Sequence, residues 1–342
     1  MATITLQESE APCFPHEAFL TAPPQIKSPE KTTKHKSPSP RRRARNGDGN
    51  GIQVDIATRL REYVDCLNNR RWDAMGNHLA DNLIRNSHSQ TRDEHIDRLR
   101  SRTDVFAGFS VKIDTMLVDR QARAVAARYV NRMTLTDAMM SVDPVGRALE
   151  FDEQCFVWFD DRGKIARIRT LQDNDGIRAQ QATAAVTPRF LMRTLPDELV
   201  DLRALYRDYV AAMNGRGGEQ ELRRFCGPRV RHNDRPLSLA DYARSMQMSH
   251  EAIAGLHFEI QELLVDDETQ QVAARLQITG TPVSEFAGVR PNGKSVKFHE
   301  HCMYRFDRGR ISVVWATMEL DSFRLQLEAE TGRRKSSTLG IN

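Results

Sequence analysis

The chain lacks the means by which small folds are stapled or metallated. Its five cysteines (Cys13, Cys66, Cys155, Cys226, Cys302) are odd in number, with no CxxC pair and no metal-ligand spacing. That excludes a disulfide framework, argues against zinc, and suits reduced buried thiols. No apolar run approaches the length of a membrane span, so no membrane partner is expected. The first residues hold no apolar stretch behind basic ones, and Glu8, Glu10 and Glu17 argue against a mitochondrial presequence. A cytoplasmic location is the expectation. A basic excess on the folded part is also missing. Of the net charge of +4, eight Lys/Arg against five acids place +3 on residues 1–50, leaving +1 for the remaining 292. A nucleic-acid binder carries that excess on a folded face, so the folded part is expected to bind no nucleic acid.

What the sequence does contain begins with a tail. Residues 1–50 are rich in Pro, Ser, Thr and Lys, lack hydrophobic periodicity, and are expected to be disordered. Within them, Lys36 to Arg45 joins two Ser-Pro sites to a basic cluster. A solvated linker is the preferred reading, with a nuclear address as the alternative. Residues 329–342 read as a flexible C-terminus.

The folded part repeats itself. Leu117-Val118-Asp119 matches Leu264-Val265-Asp266, and Val125-Ala-Ala-Arg128 matches Val272-Ala-Ala-Arg275. Phe151-x-Glu153-x-Cys155 matches Phe298-x-Glu300-x-Cys302, and Asn86 matches Asn233, every pair 147 positions apart. A constant offset across separate landmarks means two copies of one domain, expected at 51–178 and 197–328 with a linker at 179–196.

Each copy opens with an amphipathic helix: Ile56, Leu60, Tyr63, Val64 and Leu67 in the first, Leu202, Leu205, Tyr206, Tyr209 and Met213 in the second. A short helix follows, then the Asn86 or Asn233 turn. A third helix starts at Thr91-x-x-Glu94 or, more weakly, at Ser238 with Asp241. Four strands close each unit, near 109–118, 124–135, 148–159 and 164–172, and again near 257–265, 271–280, 295–306 and 310–320. Helices on one face of a curved antiparallel sheet define an α+β cone with room for a cavity.

The second copy carries Arg231-His232-Asn233, Gly280-Thr281, Phe286-x-Gly288-x-x-Pro291-x-Gly293-Lys294 and Tyr304-Arg-Phe-Asp-Arg-Gly-Arg-Ile-x-x-x-Trp315. In these motifs it resembles the SnoaL-like polyketide cyclases, within the nuclear-transport-factor-like cone superfold. The resemblance spans about residues 52–176 and 197–323. It is degraded in the first copy, where Arg169, Asp152 and Gln154 stand for Trp315, His299 and His301. It implies two tandem cones and a cofactor-free cyclisation, isomerisation or dehydration of a hydrophobic, oxygenated natural-product intermediate. A carboxylate inside the cone, often helped by a His, would do the work. In such cyclases the key acid lies on the last strand beside the Trp. Here Ala316 follows Trp315, and the nearest acids are Glu319 and Asp321. Fold alone does not make an enzyme, because the superfold also holds binding and dimerisation modules.

Within the second copy the most telling stretch is a hairpin of Val296–Phe306, turn 307–310, and Ile311–Asp321. Phe298, Glu300, Cys302, Tyr304 and Phe306 share one face of its first arm, and His299 and His301 the other. A carboxylate in that apolar row is costly unless paired or put to use. The preferred reading pairs Glu300 with Arg275, and Glu153 with Arg128, as structural ion pairs. The functional reading makes Glu300, His232 and Asp321 the acid–base groups, with Tyr304, Trp315, Asn233, Phe298 and Arg275 shaping a substrate site. His-x-Glu-x-His offers two ligands on one strand face and no third, so neither metal nor other cofactor is expected. The competing reading is a non-catalytic tandem cone, a binding or interaction scaffold. In either case the two copies are expected to dock on each other as an intramolecular pseudo-dimer; assembly of whole chains into a homo-oligomer is left open.

Overall fold

The computed structural model describes residues 55–135, 146–180 and 199–328; the expected N-terminal tail and C-terminus lie outside them, as does the expected linker beyond residue 180, whose first residue, Ala179, ends a helix. In the first unit α1 (Ile56–Asn68), α2 (Trp72–Met75) and a 3-10 turn precede β1 (Leu79–Arg85) and β2 (His88–Thr91). Then come α3 (Arg92–Val105), β3 (Phe106–Asp119), β4 (Ala124–Leu135), β5 (Leu149–Phe159), β6 (Ile165–Gln172) and α4 (Asn174–Ala179). The second unit repeats the order as α5 (Leu202–Asn214), α6 (Glu219–Leu222), β7 (Cys226–His232), β8 (Arg235–Ser238), α7 (Leu239–Ala252), β9 (Ile253–Asp266), β10 (Gln271–Pro282), β11 (Val296–Asp307), β12 (Arg310–Met318) and α8 (Leu320–Glu328). Each sheet has six strands, in the orders β2-β1-β6-β5-β4-β3 and β8-β7-β12-β11-β10-β9.

Local chemistry sets the element ends. Asp55 and Asp201 cap α1 and α5 by accepting backbone N–H bonds, and Thr91 with Glu94 forms a full capping box on α3. Ser238 caps α7 by accepting from the Asp241 N–H. α1 buries Leu60, Tyr63, Val64 and Leu67 against its sheet.

Two features go beyond the four strands read per unit. The Asn86 and Asn233 turns are two-residue hairpins, with positive φ at Asn86-Ser87 and at Asn233-Asp234. They fold β1 onto β2 and β7 onto β8, and β1 and β7 then pair in parallel with the last strands β6 and β12. Each asparagine clamps that junction through its side chain. Asn86 bonds the Thr170 backbone and Asn233 the Ala316 backbone, with N–H···Oδ1 distances of 2.8 Å. The second feature is the end of the hairpin: β12 stops at Met318, so Asp321 sits in the first turn of α8 and not on a strand.

The two units pack sheet to sheet. Leu117, Ala124, Ala126 and Phe156 of the first form one apolar cluster with Leu264, Ala273, Met303, Val313 and Trp315 of the second. Polar contacts across the seam are reciprocal. Val118 N–H donates to Asp266 and Val265 N–H to Asp119, each at 3.0 Å. At the centre, His301 Nδ1 donates to the Gln154 carbonyl at 3.3 Å and the Gln154 amide donates to the Trp315 carbonyl at 3.2 Å. At the rim, Arg178 reaches Asp321 and Arg324 reaches Asp175, both at 2.6 Å, while each arginine also bonds the acid on its own helix.

Arg324 is buried and also donates to the Ala287 carbonyl. Removing one partner of a buried charge network leaves the others uncompensated. Arg324→Ala should therefore lower unfolding stability by about 3 kcal/mol, measured as a fall in the urea midpoint. An unchanged midpoint would show that the four-residue ring does not hold the units together.

Candidate active site

The sheet face turned toward the helices differs between the units. On β11, Phe298, Glu300, Cys302 and Tyr304 face their helices, as the alternation requires. The space they face is filled. The Tyr304 ring meets the rings of Tyr206 and Tyr209 at centroid distances of 5.0 and 5.9 Å, Tyr209 and Tyr242 share a hydroxyl–hydroxyl bond of 2.7 Å, and Phe298 stacks edge-on against Phe323 at 5.2 Å.

The first unit keeps its space. In the turn after the first helix the second unit has one extra residue, 215–218 against 69–71, so α1 and α5 correspond with an offset of 146. On that register Leu60 stands where Tyr206 does, and on the strands Val157 stands where Tyr304 does. Two small side chains replace two phenol rings, and an interior cavity of about 50 Å³ remains, lined among others by Tyr63, His95, Phe109, Tyr129, Glu153 and Cys155. It shares Arg85, Arg102, Glu153 and Thr170 with a wider cleft of about 650 Å³, whose far wall is α8 of the second unit through Ser322, Leu325 and Gln326. The cavity alone has room for a water or two; with the cleft it reaches the size of a small-molecule site.

The groups around this cavity are connected. Glu153, 7 % exposed, accepts from Asn131 Nδ2 at 3.0 Å and lies directly across the ladder from Tyr129. The buried Tyr129 hydroxyl has the Cys155 thiol beside it, a weak partner, and no nitrogen or oxygen within hydrogen-bond distance among the described residues. His95 is buried on α3. Arg98 and Gln90 approach its Nδ1 at 2.9 Å, and its Nε2 is 2.9 Å from the Tyr63 hydroxyl. Arg98 can only donate, so Nδ1 carries the lone pair and Nε2 the proton. Burial, reinforced by Arg98 and Arg85, depresses the His95 pKa to about 3. His95 is thus a fixed neutral donor to Tyr63, whose own proton is left for an acceptor in the cavity. Burial raises the Tyr63 pKa, so that phenol stays protonated.

The residues singled out from the sequence fall into three groups. Glu300, Tyr304 and Phe298 face the filled interior of the second unit. Trp315 and Arg275 lie on the opposite sheet face, between the units. The Trp315 ring carries the Arg128 guanidinium at 4.1 Å, and Arg275 donates to His301 Nε2 at 2.8 Å. They therefore do not line the second unit's interior, because register puts Arg275 across from His301 and not on the Glu300 face. The same geometry overturns both ion pairs. Arg128 bonds Asp114 and Asp152 at 2.6 and 2.5 Å, and no cation pairs with Glu153 or Glu300 among the described residues. Asn233 is spent on its backbone clamp. His232 is half-buried near Tyr242, with its pKa lowered by burial and by Arg235. Asp321 is held by Arg178, Asn174 and Arg324 at the cleft of the first unit. No group of three His, Cys, Asp or Glu is placed to hold a metal among the described residues, and no described helix is long and apolar enough to cross a membrane.

His95, Tyr129, Asn131, Arg85 and Arg102 belong to no motif in the sequence, and Tyr63 is marked there only as a helix-face residue. Small residues at positions 60 and 157, set against Tyr206 and Tyr304, were the available signal for an open first cone.

Two tandem α+β cones, each with helices on one face of a six-stranded sheet, define the class. The SnoaL-like polyketide cyclase model matches the chain twice, at residues 57–181 and 203–327, and the chain belongs to that family. Among solved structures, a SnoaL-like polyketide cyclase of Agrobacterium tumefaciens is 32 % identical over 38 % of this chain and 99 % of its own, with a TM-score of 0.36. AclR of Streptomyces galilaeus, assigned as a hydroxylase, is 25 % identical over 39 % of this chain and 98 % of its own (TM-score 0.34). TsrD of Streptomyces laurentii is 20 % identical over 39 % and 99 % (TM-score 0.35). No curated protein matches the chain.

Burial raises the Glu300 pKa to about 7. Its folded value lies above the unfolded one, so the folded state binds the extra proton. The resulting stability is present below about pH 4.5 and is lost as pH rises through about 7. Glu300→Gln, which cannot ionise, should be more stable than the parent by about 3 kcal/mol at pH 8 and equal to it near pH 4.5. Urea unfolding at the two pH values measures the difference; a gain independent of pH would mean that the carboxylate is not the source.

Proposed function

We propose that the first unit holds the working site, a cofactor-independent acid–base centre that cyclises, isomerises or dehydrates a hydrophobic, oxygenated small molecule. The observation that carries this reading is the convergence of Glu153, Tyr129, Tyr63 and His95 on one cavity that opens into a ligand-sized cleft. Family membership supports the reaction class. Glu153 acts as general base on a carbon next to a carbonyl, oriented by Asn131. As charge moves onto the carbonyl oxygen, the proton of Tyr129, held only by the weak Cys155 partner, and that of Tyr63, whose oxygen is polarised by His95, donate to it. Glu153 returns the proton at the new position in an isomerisation or to the departing hydroxyl in a dehydration. In a cyclisation the carbanion instead attacks a second carbonyl of the same molecule, and the alkoxide formed there takes back the proton that Glu153 removed.

The second unit takes the scaffold role within this proposal. Its interior is filled by Tyr206 and Tyr304, and Glu300 has no polar donor comparable to Asn131, because Ile278 occupies that position. It serves as a built-in dimer partner whose α8 walls the cleft. The domain limits 51–178 and 197–328 belong to the same proposal, as does the placing of Asp321 as a wall residue with no part in the chemistry.

Mass spectrometry of small molecules co-purifying with the protein tests this. The parent and Glu300→Gln should carry the same compound. Glu153→Gln should carry a precursor of equal mass or one water heavier, and Val157→Tyr, which fills the cavity, should carry neither. A compound that persists unchanged in Glu153→Gln and Val157→Tyr, or is lost only in Glu300→Gln, would return the site to the second unit.

A further inference from the structure

Around the cleft of the first unit the charges do not close on one another. Arg85 and Arg102 are half-buried and line both the cavity and the cleft. Arg85 donates to Thr170 Oγ1 at 3.2 Å, and Arg102 to Gln172 Oε1 at 3.0 Å, with its guanidinium over the Phe109 ring at 5.2 Å. Each thus spends one donor on a neutral oxygen and pairs with no carboxylate among the described residues. The acids of the same cleft are engaged elsewhere: Glu153 by Asn131, Glu319 by His299 at 2.8 Å, and Asp321 by Arg178 and Arg324. A third cation, Arg98, stands behind them on His95.

We propose that Arg85 and Arg102 receive a carboxylate of the ligand, so that the first unit selects an acid over its ester. Partly desolvated guanidinium groups lose hydration without gaining a counter-charge, and their fork of parallel N–H donors matches a carboxylate. The placement fits the reading of the first unit as the working site, on which this inference rests. An acid held at the mouth leaves the apolar body of the ligand against Leu325 and Phe109 and its carbonyl end toward Tyr129. The second unit provides the contrast: His232 and Ser249 occupy the positions of Arg85 and Arg102, so its end of the barrel offers no such pair.

Titration calorimetry of the whole chain with 1-naphthoate and with its methyl ester tests the proposal without any variant. The acid should bind at least about tenfold more tightly than the ester, the value of a charge-assisted pair at a partly exposed site, and the margin should shrink as salt is raised. Arg85→Gln and Arg102→Gln should each erode the margin by weakening acid binding more than ester binding. Equal binding of acid and ester overturns the carboxylate site but leaves the cavity chemistry standing. An acid preference that survives both substitutions overturns the assignment to these arginines. Failure of both probes to bind overturns the carboxylate site, with the co-purification experiment deciding separately whether the cavity is used.

Discussion

A sheet has two faces to cover, and in this protein each sheet covers the other's outer one. Helices take one side of each cone; the other side carries Arg128 or Arg275, Gln154 or His301, and Arg169 or Trp315. Several of these would be ordinary on a wetted surface. Here Arg128, Gln154 and His301 are buried and Arg169 and Arg275 half-buried, which favours partners across the seam or within the same sheet. The reciprocal bonds of Asp119 and Asp266 to the opposite backbone, and of Arg178 and Arg324 to the opposite aspartate, meet that demand from both sides. His301 donates from Nδ1 and accepts at Nε2 from Arg275, and burial with that neighbouring cation lowers its pKa to about 3, holding it in the neutral form the bonds require.

That constraint explains part of the repeat seen in the sequence. Leu117 and Leu264, with Ala126 and Ala273, form the seam's apolar cluster, and Asp119 and Asp266 make its backbone bonds. Both halves need these for the same reason. Val125, Ala127, Phe151 and Cys155 and their counterparts face the interiors, whose common frame is also kept while other interior positions differ. Once two cones are joined, only one needs to stay hollow, and the other gains stability from filling. Tyr206 and Tyr304 are that filling, large aromatic rings in edge-on contact in place of Leu60 and Val157.

The same division sets what could be read before the fold was known. Tandem α+β cones, capped helices and the alternating β11 hairpin follow from periodicity and from the fixed offset, which are local or repeated signals. The site did not follow, for two physical reasons. Pairing Glu300 with Arg275 requires the register of β10 on β11, and the long Gly/Pro loop between them (283–295) marks a turn without fixing how many residues each strand contributes. Register places Leu276 against Glu300 and turns Arg275 to the other face. Finding the open cone required matching the first helices, and the Gly215 to Gly218 turn shifts that match by one residue, so that Tyr63 aligns by strand offset with Val210 when it corresponds to Tyr209. A reading keyed to the better-matched motifs therefore favoured the second cone, whose motif residues Trp315 and Asn233 serve the seam and a backbone clamp.

The filled unit still has a bearing on chemistry, through where its last helix lies. Asp321 begins α8, and Arg324 follows one turn later; the ring they form with Asp175 and Arg178 anchors α8 across the mouth of the first cone. A single cone would open there to water. With α8 in place the mouth becomes a cleft with one apolar wall at Leu325 and polar edges at Ser322 and Gln326. Behind the open cleft, at buried Glu153, water is scarce and charge interactions are stronger than at the mouth where Arg85 and Arg102 stand half-buried. Duplication thus did more than cover a sheet face: a unit with a solid interior gives the hollow one its missing wall.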